Sequence, residues 1–364
     1  MNDRLRRVER HGEQRAALAG LVLAGLAVGC NAGAGPDPSS AGVEAGASAS
    51  TTATLDDGAS AAASRSSPGT TDPTTTDPTT TDPTTTGATT DAPAGPPWVT
   101  FSLLASQTDA ALGAGQGVEL RDGRIYAYGD RQGTGVLREY DIVAGAPPSL
   151  AFTGREVLLR RGGVDLVPHP TGLTTDPELG TFLGNTVAGI GTVLVIDWAV
   201  MLADGDLDNA VLAEVADDVM AGGTRPEFVR VGEAWRLASA GYLADDAANT
   251  LRVFDAAALA GANATSDPGV LVSAAPIGPW VQSLAFFDEL GLLVAAQNLA
   301  YGTGWRLTVA PITPDGSLGE AQVIEGDLPA SELEGIHPLG DGEHAVLITS
   351  GATDNLWIAA LAPV

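Results

Sequence analysis

One unit recurs five times in the C-terminal part of this 364-residue chain. The segments "GQGVELRDGRIYAYGD", "PTGLTTDPELGTFLGN", "PEFVRVGEAWRLASAG", "VQSLAFFDELGLLVAAQN" and "LEGIHPLGDGEHAVLITSG" line up with one another. Each reads as a short strand, a tight turn rich in Gly and Asp, then a stronger apolar strand that ends in small or polar residues. The polar residue just inside each first strand is Gln116, Thr171, Glu227, Gln282 or Glu334, at spacings of 55, 56, 55 and 52 residues. A fixed period of this length marks a repeat architecture, because one unit cannot bury its apolar face alone and must stack on its neighbours.

The rest of each unit repeats as well. A third strand follows at "VLREYD", "GTVLVID", "TLRVFD", "GWRLTVAP" and "NLWIAALA". A fourth follows at "EVLLRR", "AVLAEVAD", "GVLVSAAP" and "AQVIEGD", and the fifth unit reaches Val364 without one. The left-over "WVTFSLLAS" before the first unit can supply that missing strand. Four-stranded units repeated about an axis describe an all-β fold, the β-propeller. Five blades are favoured, with six as the alternative, and the N-terminal strand closes the ring by pairing into the last blade. A β-sandwich would not explain the period. Short helices are expected at "DWAVMLADG" and "DAAALAGA". Asp141, Asp197 and Asp255, which end three of the third strands, are expected to cap the turn or helix that follows.

Residues 98–364 form this domain, and the chain before them is of another kind. The first residues carry Arg4, Arg6, Arg7, Arg10 and Arg15, then an apolar run from Ala16 to Gly29, short for a permanent membrane span. A basic head, an apolar stretch and small residues before a cut site make a secretory signal peptide over residues 1–29. Residues 30–97 contain the repeated unit T-T-T-D-P, with Pro73, Pro78 and Pro83 in register. No large apolar residue there can nucleate a core, so a disordered tether is expected. Fully extended at ~3.1 Å per residue, it could reach roughly 200 Å.

Cys30 is the chain's one cysteine, so no internal disulfide can form. Placed directly after Ala27, Val28 and Gly29, it resembles the lipobox cysteine of bacterial lipoproteins. That resemblance implies cleavage before Cys30, lipidation of Cys30 and anchoring to a bilayer. Asn31, where many retained lipoproteins carry Asp, points to the outer membrane, on its periplasmic or cell-surface side.

The net charge is -27, and all 18 basic residues are Arg. Such a chain repels nucleic-acid backbones, which excludes that partner class. It welcomes a cation, and a monomer is expected. In a propeller the first strand of each blade lines the channel, so Gln116, Thr171, Glu227, Gln282 and Glu334 are expected to ring its mouth. His169, Arg225 and Trp280 enter beside them, and Asp130, Asn185, Gln297, Asn298 and Ser350 lie at the second-strand ends. Three readings of this ring stay open. The first is a site for a divalent cation, Ca²⁺ foremost. The second is a hydrolase in which Glu227 and Glu334 share acid and base duties. The third is a hydrated ring that satisfies the inner strands. Two buried carboxylates need compensation from Arg225, a metal or a proton.

"ELEGI…DG…VLITS" resembles the first-strand motif of gluconolactonase-like and phytase-like propellers. That resemblance implies a metal ligand at Glu334, with Asn185 or Asp130 as candidate partners. Glu227 joins them as a metal candidate from the ring itself, and the rival function is a metal-dependent hydrolase of a lactone, phosphoester or glycan. The leading expectation is a displayed binding module for a small molecule, glycan or protein at the channel mouth. "LASAG" around Ser239 lacks the first glycine of a nucleophile elbow. "DGDLDN" (204–209) lacks the Gly and Glu of a calcium loop and reads as a surface turn. His169 and His337, each before a proline, are expected to organise turns, and His344 to be exposed.

Overall fold

The computed structural model describes residues 99–187, 190–221, 223–244, 249–299, 304–327 and 331–363. The expected signal peptide and tether, with Cys30 and Trp98, lie outside the described residues. The described chain belongs to one compact unit, Thr86–Val364.

Five four-stranded antiparallel sheets form the blades of a β-propeller. From the axis outward, blade 1 is Ala114–Arg121, Arg124–Asp130, Gly135–Val143 and Ser149–Leu158. Blade 2 is Gly172–Asp176, Gly180–Val187, Ile190–Ile196 and Val211–Ala221, and blade 3 is Glu227–Val231, Ala234–Ala240, Thr250–Phe254 and Leu271–Pro276. Blade 4 is Val281–Phe287, Leu292–Asn298, Gly304–Pro311 and Gln322–Asp327. Blade 5 is Leu333–Pro338, His344–Thr349, Leu356–Pro363 and the N-terminal strand Val99–Gln107. That last strand pairs antiparallel with Leu356–Pro363, so the five-blade ring closes as the period predicts. The first strands neighbour one another in cyclic order around the axis.

The burial pattern explains the sequence pattern. Second strands are covered on both faces by adjacent blades, so they are continuous apolar runs; Leu292–Asn298 is buried throughout. The fourth strand of blade 4 alternates between exposed and half-buried residues, as an outer strand must. Five apolar clusters fill the structure, one at each blade interface. Aromatics are few and lie at these seams. Phe182 meets Phe228 edge-on at 5.7 Å between blades 2 and 3, and Trp235 meets Phe286 at 5.8 Å between blades 3 and 4. Each such ring contributes area burial plus about 0.5–1.5 kcal/mol of pair geometry.

Two short helices follow third strands, as predicted. Helix α1 (Trp198–Asp204) is capped by Asp197, whose side chain accepts from Val200 N at 3.1 Å. Helix α2 (Ala256–Ala260) is capped by Asp255, which accepts from Ala258 N at 3.0 Å. Asp141 departs from that role: it lies within its strand and pairs with Arg124 at 3.1 Å. The turn at 204–209 satisfies itself, with Asp206 accepting from Asp208 N and Asp204 from Asn209 Nδ2, both at 2.9 Å.

Candidate functional site

The first strands begin with a register feature that the repeat alignment hides. In blade 1, Gly115 pairs with Gly129 and Gly117 with Tyr128, which leaves Gln116 as a bulge. Gln282 is bulged in the same way in blade 4, and Glu334 in blade 5. In blade 2, Gly184 pairs with Gly172 and also accepts from Thr171 N at 3.0 Å, so Thr171 takes the same place. In blade 3, however, the residue paired with Ala238 is Glu227. Glu227 therefore matches Gly117, Gly172, Ser283 and Gly335, and the bulge slot falls on Pro226. Proline suits a bulge because no ladder N–H is required there. The slot is thus filled by Gln116, Thr171, Pro226, Gln282 and Glu334, and Glu227, expected in this ring, stands one residue deeper.

The deeper slot is a tight one. A Cβ on Gly335 would lie 2.8 Å from Gly117 Cα, and one on Gly117 would lie 2.1 Å from the Tyr128 hydroxyl. Those glycines let blades 5 and 1 approach closely and let Tyr128 cross the strand. Glu227 instead reaches toward blade 4 and accepts from Phe286 N at 3.1 Å. It belongs to a series of stitches between first strands. Glu119 accepts from Thr175 N across the seam of blades 1 and 2, and Thr174 Oγ1 accepts from Phe228 N across the seam of blades 2 and 3, each at 3.1 Å.

Glu119 is the site residue that sequence reasoning missed. It is buried beside the axis, and burial, helped by the charge of Glu227, pushes its carboxyl well above the usual range. Burial raises Glu227 as well, against the hydrogen bonds from Phe286 and Thr174. Burial first, and then the two acids Glu119 and Glu227, push the Tyr128 hydroxyl up, so it stays protonated. His337 lies in the first strand of blade 5 rather than in a turn, and it is buried. Its Nδ1 lies 2.9 Å from Pro338 O, an acceptor, so Nδ1 carries the proton. The lone pair of Nε2 then faces Glu119 Oε2 at 3.6 Å, an oxygen with no hydrogen bond of its own. Burial lowers His337 to about 4, so the ring is neutral at ordinary pH. A protonated Glu119 facing a neutral imidazole avoids a buried charge on either group, although 3.6 Å is too long for a hydrogen bond between them. The available signal was an acid between Val118 and Leu120, in a strand too near the axis to meet solvent.

At the mouth, the rim slot two residues before each bulge holds Ala114, His169, Thr224, Trp280 and Glu332. Trp280 has φ +56°, an unusual value for a bulky side chain. Both its backbone groups are pinned: Trp280 N donates to Leu243 O at 2.8 Å, and Asn298 N donates to Trp280 O at 3.0 Å. Its ring meets Tyr242 edge-on at 5.0 Å, and the Arg225 guanidinium lies 5.2 Å from the Tyr242 centroid. Arg225 is buried, and its Nε donates at 2.9 Å to Gln282 O in the bulge of the next blade. Burial lowers its basicity to about 10, countered first by the charge of Glu334. Burial pushes Glu334 up to about 8, and the neighbouring Glu332 adds to the rise by charge and by hydrogen bonding, while Arg225 opposes it. Glu334 therefore holds its proton near neutral pH, favoured by burial and by Glu332 and opposed by Arg225.

The remaining expected residues are placed as follows. His169 is exposed at the rim, its Nδ1 3.2 Å from Asp130 Oδ2, and Asp130 also accepts from Gly133 N at 2.6 Å. Asn185 donates to Leu166 O at 3.0 Å and Gln297 to Pro279 O at 2.7 Å. Asn298 is buried, with neither side-chain polar atom hydrogen-bonded among the described residues. No group of three or more His, Cys, Asp or Glu among the described residues is placed to hold a metal ion.

No protein-family model matches the chain, and no curated protein matches it. Its structure is similar to Myxococcus xanthus glutaminyl cyclase, with a TM-score of 0.43, 14% identity and coverage of 74% of this chain and 99% of that one. It is similar to the PQQ domain of pyranose dehydrogenase from Coprinopsis cinerea, with a TM-score of 0.41, 10% identity and coverage of 73% and 98%. It is also similar to the beta-propeller domain of Cps50 (Swd1) from Myceliophteria thermophila, with a TM-score of 0.38, 10% identity and coverage of 72% and 99%. The propeller assignment rests on the strand pairing of this chain, which closes five blades by itself.

Proposed function

We propose that this propeller is a binding module whose ligand, a neutral hydroxyl-rich ring such as a glycan residue, sits at the channel mouth against Trp280. The observation that carries this reading is the conformation of Trp280. A tryptophan held at φ +56° by hydrogen bonds from two blades is costly, and such strain concentrates at ligand sites. The half-buried Trp280 and Tyr242 offer an aromatic wall. Gln116 and Gln282 offer neutral polar groups, while the Thr171 hydroxyl is held by Thr224 O, and protonated Glu334 offers a donor beside Glu332. Mixed donors and acceptors against an aromatic face suit a sugar better than a strong anion or cation. We place this module outside the cytoplasm, on a bilayer through lipidated Cys30 and the Thr/Asp/Pro tether. The Arg-rich head, the apolar run and the cysteine after Gly29 support that placement.

A second reading, hydrolysis, is favoured by the same carboxylates. Glu334 at about 8 has the proton affinity of a general acid, and Glu332 is its nearest partner. In that reading Glu332 replaces Glu227, whose carboxylate is held by Phe286 N.

A glycan array followed by titration of the best oligosaccharide distinguishes the two. Binding is expected to fall about tenfold or more in Trp280→Ala, as for a stacked aromatic anchor. Chemical breakdown of the bound sugar that ceases in Glu334→Gln would favour the hydrolase. An array with no binder, or unchanged affinity in Trp280→Ala, would sink the mouth as the ligand site.

A further inference from the structure

The face opposite the mouth carries a cavity at the seam of blades 4 and 5. The turn Asp288–Gly291 of blade 4 and residues 338–342 of blade 5 frame a space of about 190 Å³. Its wall is apolar, with Phe286, Phe287, Leu290 and Leu361, and His337 forms part of it. An apolar cavity of ~150 Å³ holds benzene, so this one accommodates a single ring with a short arm.

The charged residues that line it are both acids. Asp288 and Glu289 are exposed at its edge. Glu289 Oε2 lies 3.3 Å from where a Cβ on Gly342 would stand, so this carboxylate leans across to the blade 5 turn. Among the described residues Glu289 forms no ion pair, and Asp288 has one partner, Arg230, at 3.5 Å. His337 adds no positive charge, because its Nδ1 proton is spent on Pro338 O and its Nε2 faces Glu119. Phenyl rings below a carboxylate rim attract a cation by both charge and ring quadrupole.

We propose that this cavity is a second ligand site, specific for a small organic cation: an ammonium group on an apolar body about the size of one benzene ring. The ring lies against Phe286, Phe287, Leu290 and Leu361, and the ammonium group meets Glu289 and Asp288. Acids and neutral alcohols of the same shape lack the attraction.

The test is calorimetric titration of the full chain with benzylammonium, alongside benzyl alcohol and benzoate, with hydrogen exchange to locate the site. Benzylammonium is expected to bind saturably and about tenfold or more tighter than benzyl alcohol, with benzoate not binding. Protection should appear at residues 286–290 and 337–342. Glu289→Gln should weaken binding by about twofold to fivefold, the scale of an exposed charge pair, and Trp280→Ala should leave it unchanged. Equal binding of benzyl alcohol, no binding at millimolar benzylammonium, protection elsewhere, or an unchanged Glu289→Gln would each overturn the proposal.

Discussion

Glu227 shows how one residue of register changes a chemical argument. Counted along the repeat it joins Glu334, but paired across its hairpin it joins three glycines and a serine. Its carboxyl is raised because burial outweighs the hydrogen bonds from Phe286 and Thr174. This has a consequence for stability. Below the ordinary carboxylate value of 4.5, folded and unfolded chains both hold the proton, and the favourable contribution is complete. As pH rises above that value, the unfolded chain releases its proton while the folded chain keeps it, so stability falls until the folded group also ionises. A tenfold difference in proton affinity between the folded and unfolded chains corresponds to about 1.4 kcal/mol. Glu227→Gln keeps an oxygen for Phe286 N and removes the titration. Its urea midpoint should decline less than wild type between about pH 5 and pH 9, by an amount equivalent to about 1–3 kcal/mol. Parallel profiles for the two proteins would show that Glu227 is not the titrating group.

At the scale of elements, the strand Val99–Gln107 carries the closure of the ring. It pairs with Leu356–Pro363, while Val99 is buried in the cluster between blades 4 and 5 and Phe101 packs edge-on to Phe287 at 6.3 Å. Gln322 of blade 4 holds both backbone groups of Val99, through bonds of 3.0 and 2.9 Å. Without this strand, Leu356–Pro363 becomes an open edge and a template for association. A chain lacking residues 99–107 should unfold at a lower urea concentration and form aggregates by light scattering, and adding a peptide of that sequence should reverse part of the loss. A truncated chain with the wild-type midpoint would mean that the other four seams suffice. Most of this level was legible in the sequence. Apolar runs, turn glycines and the two caps Asp197 and Asp255 are local signals, and local signals survive into the fold. Asp141 escaped because its partner Arg124 comes from the neighbouring strand.

At the scale of the whole molecule, the net charge of -27 and the Arg-rich start belong to different parts of the chain. The acidic surface favours solubility and keeps polyanions away. The bilayer attachment proposed above would come from acyl chains on Cys30, each buried CH₂ contributing about 0.8 kcal/mol. Expressed in a bacterium with an outer membrane, the wild-type chain should incorporate labelled palmitate and sediment with membranes. Cys30→Ser should do neither. Sedimentation of an unlabelled Cys30→Ser chain would assign the anchor to the apolar run Ala16–Gly29 instead.

The period and the favoured count of five blades were legible in the sequence alone, because each blade is built from hydrogen-bond ladders and apolar patterns between segments close along the chain; the closing strand, whose partner lies at the far end of the domain, was legible only as the strand left over by that count. The five-fold ring of mouth residues was nearly legible, with four of its members in register. What only the tertiary structure decided was which acids share an environment: Glu227 with Glu119 beside the axis, and Glu334 with Glu332 and Arg225 at the mouth. Bulges at Gln116, Gln282 and Glu334 shift register by one residue at a time, and no local pattern encodes that shift. Burial then sets the protons, as at His337, which reads as turn punctuation beside Pro338 until blade 1 closes over it and brings Glu119 to its face.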